Sequence, residues 1–146
     1  MDLENTICNL VKIPLCYLEP LAIVKYEKNN YFNVHHDGTF RRATLLIYLN
    51  DVDEDGETIF PHYNLSIKPI QGSGIFWYNN IPVEEEYAIT YCDKSNLEKF
   101  SIDIINDELG NMYIADMTML HKANKVSDEY KYVINCFFNI NIVRNV

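Results

Sequence analysis

Short apolar or alternating runs, each closed by Gly, Pro, Asn or Asp, constrain the fold of this 146-residue chain more than any other feature of it. A helix needs an apolar stripe sustained over several turns, whereas a strand is complete in roughly 4–8 residues. Leu21 to Tyr26 and Tyr31 to Asp37 read as strands around a turn at Lys28-Asn29-Asn30, and Arg42 to Asn50 is a strong strand ended by an Asp-rich stretch. Ser66 to Lys68 and Gly74 to Tyr78 are short strands separated by Pro69 and Gly72. Lys99 to Asn106 alternates, Asp107 to Gly110 turns and Met112 to His121 returns, which is a hairpin pattern, and Tyr130 to Ile142 completes the set. Many short strands with frequent turns predict a mainly all-β sandwich or barrel. The length and a 48% hydrophobic composition suit a single domain over residues 1–146, with a real core and no room for a second. The 11 Tyr and 7 Phe mostly fill that core.

Within this frame, His35, Asp37 and His121 form a candidate metal-ligand set. Residues two apart on an extended strand leave the same face, so His35 and Asp37 can enter one cavity while His36 points the other way. His121 lies 84 residues beyond Asp37, so the chain must fold back to complete the set. Two histidines and one carboxylate on one face of a metal are the ligand pattern of non-haem Fe(II) oxygenases, which keep open positions opposite. A His-X-Asp tripeptide carries little weight alone. Lys131, ten residues after His121, belongs to the same constellation.

Several further motifs occur in a telling order. Arg41-Arg42-Ala43-Thr44-Leu45-Leu46-Ile47-Tyr48-Leu49-Asn50 and Gly56-Glu57-Thr58-Ile59-Phe60-Pro61 are followed by Pro69-Ile70-Gln71-Gly72-Ser73-Gly74-Ile75-Phe76-Trp77, then by His121-Lys122-Ala123 and Lys131. From about Leu21 to Asn139 the chain resembles the catalytic domain of the prolyl 4-hydroxylases, within the 2-oxoglutarate- and Fe(II)-dependent dioxygenases. The third motif has one fewer residue than the family between its glycine and its aromatic pair.

The resemblance implies a double-stranded β-helix, or jelly roll, over about residues 21–142, with His35, Asp37 and His121 as iron ligands at its open mouth. It implies Fe(II), 2-oxoglutarate and O2 as cofactor and cosubstrates, with ascorbate as a further small-molecule partner. The implied reaction converts 2-oxoglutarate to succinate and carbon dioxide while hydroxylating the substrate, with no protein general base. Lys131 is then the cation for the far carboxylate of 2-oxoglutarate, a role that burial strengthens. Lys131 and Asn135 share one strand face, as do Thr44 and Tyr48 on another strand, so all four are candidate 2-oxoglutarate contacts. Tyr48 is the favoured hydroxyl donor, and for Tyr26 packing and contact are both open.

Departures from the family bear on substrate. Only Gly38, Thr39 and Phe40 separate Asp37 from Arg41, where collagen-type and plant-type members carry a mobile loop over the peptide, so that lid is expected to be missing. The stretch over about 80–112 reads instead as an insertion carrying a hairpin, either a replacement wall or an oligomer contact. The N-terminal segment before the core is short; Ile7 to Tyr17 is expected to support the sheet in part, and an exposed sheet face would favour a homo-oligomer. Proline specificity is implied by kinship and by no individual residue.

Charge and cysteines narrow the setting. The net charge is −9, with acidic clusters at Asp51 to Glu57 and Glu84-Glu85-Glu86, and such a surface repels phosphate backbones, which disfavours a nucleic-acid substrate. Arg41-Arg42 is the dense basic pair, with a structural role expected for Arg41. Cys8, Cys16, Cys92 and Cys136 lack zinc-type spacing, the N-terminus is acidic rather than a leader, and no apolar run is long enough to span a bilayer. A cytoplasmic protein with reduced thiols and no membrane contact is expected. Three functions stay in view: a peptidyl hydroxylase, foremost prolyl, acting on a peptide or protein; the same chemistry on lysyl residues, a small metabolite or a nucleobase; and a non-catalytic binding scaffold. A cupin would share the fold, but cupins use more histidines and no lysine. His36 and His62 are expected away from the metal, His62 in solvent.

Overall fold

Two four-stranded antiparallel sheets face one another across a cavity in the computed structural model, which describes residues 2–83, 104–127 and 130–146. The strands are β1 (Ala22–Glu27), β2 (Phe32–His35), β3 (Arg41–Tyr48), β4 (Thr58–Phe60), β5 (Leu65–Ile67), β6 (Gly74–Tyr78), β7 (Asn80–Val83), β8 (Ile105–Asn106), β9 (Met112–Ala115), β10 (His121–Ala123) and β11 (Tyr130–Asn139). The larger sheet runs β1-β11-β3-β6 and the smaller β2-β10-β4-β5; β7-β9-β8 form a third sheet. This is the mainly-β, jelly-roll arrangement expected, with its ligand-bearing strands in one sheet and Lys131 in the other.

β11 organises the larger sheet. Its register puts Tyr26 of β1 opposite Lys131, and Val133 opposite both Val24 of β1 and Tyr48 of β3. Lys131, Val133, Asn135 and Phe137 line the cavity. The alternate residues Ile134, Cys136 and Phe138 face outward and pack with Ile7, Cys8, Leu18, Ala43 and Leu45 in a buried cluster. Strand alternation thus gives one element two environments.

Helix α1 (Leu3–Val11) supplies Ile7 and Cys8 to that outer cluster. Asp2 caps its first turn by accepting from the Glu4 amide at 2.9 Å, and the helix ends at Lys12 in the left-handed region just before Pro14. A 3₁₀ turn, Leu15–Tyr17, brings Leu18 beneath the sheet, where the Glu19 amide donates to the Phe137 carbonyl at 2.9 Å. The Arg144 guanidinium fixes helix to tail with two bonds to the Glu4 carboxylate, at 2.8 and 2.9 Å. The support expected from Ile7 to Tyr17 is therefore a helix and a turn.

Other boundaries differ from expectation for local reasons. The single strand expected from Met112 to His121 is broken at Asp116, whose carboxylate accepts from the Thr118 amide and caps a 3₁₀ turn at Met117–Met119. The break lets the chain leave the third sheet at β9 and enter the smaller sheet at β10. β2 stops at His35, leaving Asp37 in the turn beyond it. β4 was not among the expected strands, and β11 ends at Asn139 rather than Ile142. Of the expected hairpin, β8 and β9 pair across Asp107 to Gly110, while residues 99–103, like Cys92 and Glu84 to Glu86, lie outside the described residues. No helix among the described residues is long and apolar enough to cross a membrane.

Phe138 is fully buried and Ile23 is 68% exposed on the same sheet. Phe138→Ala is expected to cost about 3–5 kcal/mol of unfolding free energy in urea titration. Ile23→Ala should stay within about 0.5 kcal/mol of the unaltered chain.

Candidate metal centre

His35 ends β2 and His121 begins β10, and the two are directly paired across the antiparallel ladder. Cross-strand partners point to the same side, so their rings meet at a centroid distance of 4.3 Å. Asp37 follows β2 by two residues, at a turn made by Gly38 with φ 109°, a conformation that L side chains rarely adopt. Its Oδ1 lies 3.5 Å from His35 Nε2 and 3.4 Å from His121 Nε2. The strand geometry expected for His35 and Asp37 is replaced by strand plus turn, with the same convergence.

The chemistry of this donor set fits a divalent metal. His35 Nδ1 lies 2.7 Å from the Asn33 carbonyl and His121 Nδ1 2.9 Å from the Met119 carbonyl. A carbonyl only accepts, so each Nδ1 carries the proton and donates it, and each Nε2 presents a lone pair towards Asp37 Oδ1. Three lone pairs thus converge and repel unless a cation, an imidazole proton or a metal ion, stands among them. All three ligand atoms lie within 4.8 Å of one another. Burial pushes the Asp37 carboxyl up, but hydrogen bonding to His121, His35 and Thr44 outweighs it and holds the group well below the usual carboxylate range. Burial pushes His35 down, and its Asp37 and Asn33 partners reverse that and raise it.

The ligands open on a cavity of about 260 Å³ whose wall includes Phe32, Trp77, Val24, Val133, Tyr26 and Lys131. Lys131 is 1% exposed. Its Nζ donates to the Gly56 carbonyl at 2.8 Å and lies 4.4 Å from the centre of the Tyr26 ring. No carboxylate among the described residues forms an ion pair with it. An ammonium has three N–H donors, so this one retains donor capacity towards the cavity. Burial lowers its pKa to about 8, against a smaller opposing effect of Glu57.

The other expected contacts divide. Asn135 and Tyr26 stand on the cavity wall. Tyr48 does not: it is fully buried, and its hydroxyl donates to Thr58 Oγ1 at 2.6 Å, so its role in place of the expected far-carboxylate contact is to hold Thr58, which does line the cavity. Burial raises the Tyr48 phenol to about 12. Thr44 lies behind Asp37 and donates to its Oδ2 at 2.7 Å, a support for the ligand rather than a wall of the cavity. His36 is neutral-poised, because burial lowers its pKa; its Nδ1 accepts from the Gly38 amide and its Nε2 donates to the Asn79 carbonyl at 2.8 Å. His62 is exposed in the turn after β4. Arg41 binds both Glu19 carboxylate oxygens, at 3.1 and 2.9 Å, and donates to the Asp37 carbonyl at 3.2 Å.

Thr58, Asn79 and Trp77 were not singled out by residue type or spacing. The Phe76-Trp77-Tyr78-Asn79 run carried a signal, since an aromatic pair followed by a buried amide at a strand end suggests a polar anchor.

Residues 21–139 match the model of the 2OG-Fe(II) oxygenase superfamily. A putative prolyl 4-hydroxylase of Acanthamoeba polyphaga mimivirus is 37% identical over 90 residues, covering 51% of this chain and 37% of that protein. Probable prolyl 4-hydroxylase 11 of Arabidopsis thaliana is 34% identical over 88 residues, covering 56% of this chain and 32% of that protein. The chain therefore spans about a third of the length of these curated relatives. The viral collagen prolyl hydroxylase vCPH from Paramecium Bursaria Chlorella virus-1, solved as its 2OG complex, aligns with a TM-score of 0.62 at 22% identity, over 93% of this chain and 69% of that one. That likeness shows a shared fold.

Fe(II) or Co(II) under anaerobic conditions should raise the melting temperature of the unaltered chain, by a stabilisation of about 2.7 kcal/mol when free metal is a hundredfold above its Kd. His121→Ala or Asp37→Ala should remove that increment; a metal-induced rise that survives both would place the ion elsewhere.

Proposed function

The chain belongs to the 2OG-Fe(II) oxygenase superfamily, and from that premise we propose that it is an Fe(II)- and 2-oxoglutarate-dependent hydroxylase acting on prolyl residues of a peptide or protein. The observation that carries the proposal is the pairing, across one cavity, of three converging lone pairs with a buried ammonium that has no carboxylate partner among the described residues. The first demands a cation and the second an anion. A metal chelated by a keto acid with a free carboxylate at its other end answers both.

In this reading His35, Asp37 and His121 hold the iron, and their carbonyl-anchored Nδ1 protons keep the rings aimed. Bound iron supplies the oxidative chemistry, in which 2-oxoglutarate is decarboxylated to succinate and one atom of dioxygen enters the substrate as a hydroxyl. Lys131 neutralises the far carboxylate, and Asn135 and Thr58 are further polar groups on the cavity wall. Val24, Val133, Phe32 and Trp77 exclude water, which strengthens the ion pair to Lys131. The protein is asked for binding, orientation and exclusion of solvent, and for no proton transfer.

Prolyl specificity rests on the curated relatives. The connection from Asp37 to Arg41 is only three residues long, and Phe32 and Val34 are exposed among the described residues, which suits an extended chain better than a small enclosed metabolite. A net charge of −9 speaks against a nucleobase within a polynucleotide. Cys8, Cys16 and Cys136 are free thiols, in keeping with a reducing compartment such as the cytoplasm. The proposal treats residues 1–146 as one catalytic domain.

The test is succinate formation by anaerobically iron-loaded protein given 2-oxoglutarate and oxygen, alone and then with a proline-rich peptide. His121→Ala should abolish turnover, Lys131→Ala should raise the KM for 2-oxoglutarate with recovery at high concentration, and the peptide should stimulate. Absence of succinate under every condition would leave a binding scaffold as the better reading.

The pH dependence has a defined sign. The anion selects protonated Lys131, whose pKa in the free protein is about 8. The KM for 2-oxoglutarate should be flat below that value and rise by up to about tenfold per pH unit above it. A KM that stays level through alkaline pH would remove Lys131 from this role.

A further inference from the structure

Asn79 is fully buried, as is Thr44, yet neither reaches the cavity wall. Every polar atom of the Asn79 side chain is nevertheless committed. Trp77 Nε1 donates to Asn79 Oδ1 at 2.8 Å, Asn79 Nδ2 donates to Thr44 Oγ1 at 2.9 Å, and Thr44 Oγ1 donates to Asp37 Oδ2 at 2.7 Å. The backbone of Asn79 is equally engaged: its carbonyl receives the Asp116 amide at 2.9 Å and His36 Nε2 at 2.8 Å, and its amide donates to the Arg42 carbonyl at 3.0 Å.

The direction of this relay is fixed by chemistry. An indole nitrogen only donates, so the amide must turn its oxygen to Trp77 and its NH2 to Thr44. Thr44 then receives a hydrogen from Asn79, and its own hydroxyl hydrogen is free for Asp37. The outcome falls on a single atom. Oδ2 is occupied by a hydroxyl, while Oδ1 is the oxygen facing both His35 Nε2 and His121 Nε2.

We infer that Asn79 and Thr44 are positioning residues that commit Asp37 to bind the metal through Oδ1 alone, with Trp77 setting the polarity of the relay. A carboxylate free to turn could offer both oxygens and take up a coordination position that the cosubstrate needs. Trp77 acts on the site twice, because its ring also packs edge-on against His121 at 4.8 Å between centroids. The inference rests on the metal reading above, and the experiment separates the two.

Trp77 is the only tryptophan, and its contact with His121 makes its fluorescence a reporter of a paramagnetic ion at the site. Quenching by Fe(II) or Co(II) gives the metal affinity without turnover, and the visible spectrum of bound Co(II) reports coordination number. Thr44→Val, which keeps shape and removes the hydroxyl, should weaken metal affinity roughly 10–100-fold and change the Co(II) spectrum. Thr44→Ser should restore both. Asn79→Asp should act like Thr44→Val: a carboxylate there only accepts, so Thr44 would turn its hydrogen away from Asp37. If Asn79→Asp does not fold, the two Thr44 variants decide alone, with far-ultraviolet circular dichroism confirming their fold. Unchanged affinity and spectrum in Thr44→Val, or a loss that Thr44→Ser fails to repair, would overturn the inference while leaving the metal reading intact. No quenching in the unaltered chain would overturn both.

Discussion

The alternation of β11 is the constraint on which the rest of the structure depends. Lys131, Val133, Asn135 and Phe137 face the cavity while Ile134, Cys136 and Phe138 face the cluster under α1. A slip of one residue would exchange the two sets, driving an ammonium into an apolar cluster and lining the cavity with its core residues. Six successive partners on β3, before the register shifts at Asn139, and six on β1 hold the register against that slip. The same pairing puts Tyr26 against the Lys131 stem and Tyr48 next to Val133, so the cation's surroundings follow from register.

Two charges of opposite sign, one compensated and one not, stand within this frame. Taking an ion from water into a protein costs several kcal/mol per ion unless partners compensate. Asp37 is compensated by a hydroxyl and two imidazoles, whereas Lys131 has a carbonyl and an aromatic face. The difference follows from their surroundings: hydrogen bonds outweigh burial and hold the carboxylate charged, whereas burial draws the ammonium towards neutrality. A site that is incomplete in this sense is stabilised by any ligand that supplies the missing charges.

Much of this was legible in the residues. The turn-punctuated strands and the motif order that joins His121 to Lys131 led to the architecture found, whereas the same-face argument for His35 and Asp37 reached the right convergence through a strand that stops at His35. What was missed shares a cause. β4 and β10 are three residues long, too short to show a period, and are defined only by the strands they pair with. Thr58 on β4 was therefore invisible as the partner of Tyr48, whose hydroxyl was assigned to the cavity because its strand face was right. A strand face fixes the side on which a residue lies, while the partner that captures its hydroxyl is set by a chain segment elsewhere. Thr44 shows the same limit, one residue away from the cavity and in contact with a ligand. The break at Asp116 depends on a side chain capping its own backbone, a local competition that apolar alternation does not register.

The division of labour between the sheets has a geometric consequence. His35 and His121 come from the smaller sheet and Lys131 from the larger, so the span between the proposed metal position and the ammonium is set by how far apart the sheets pack, typically about 10 Å. That distance acts as a ruler for any diacid held at both ends: a chain one carbon shorter reaches one anchor at the expense of the other. Discrimination by length is then a property of the sandwich as a whole. The side chains that fill the space between the sheets, Val24, Val133 and Trp77 among them, become the calibration of that ruler, although none of them carries a charge.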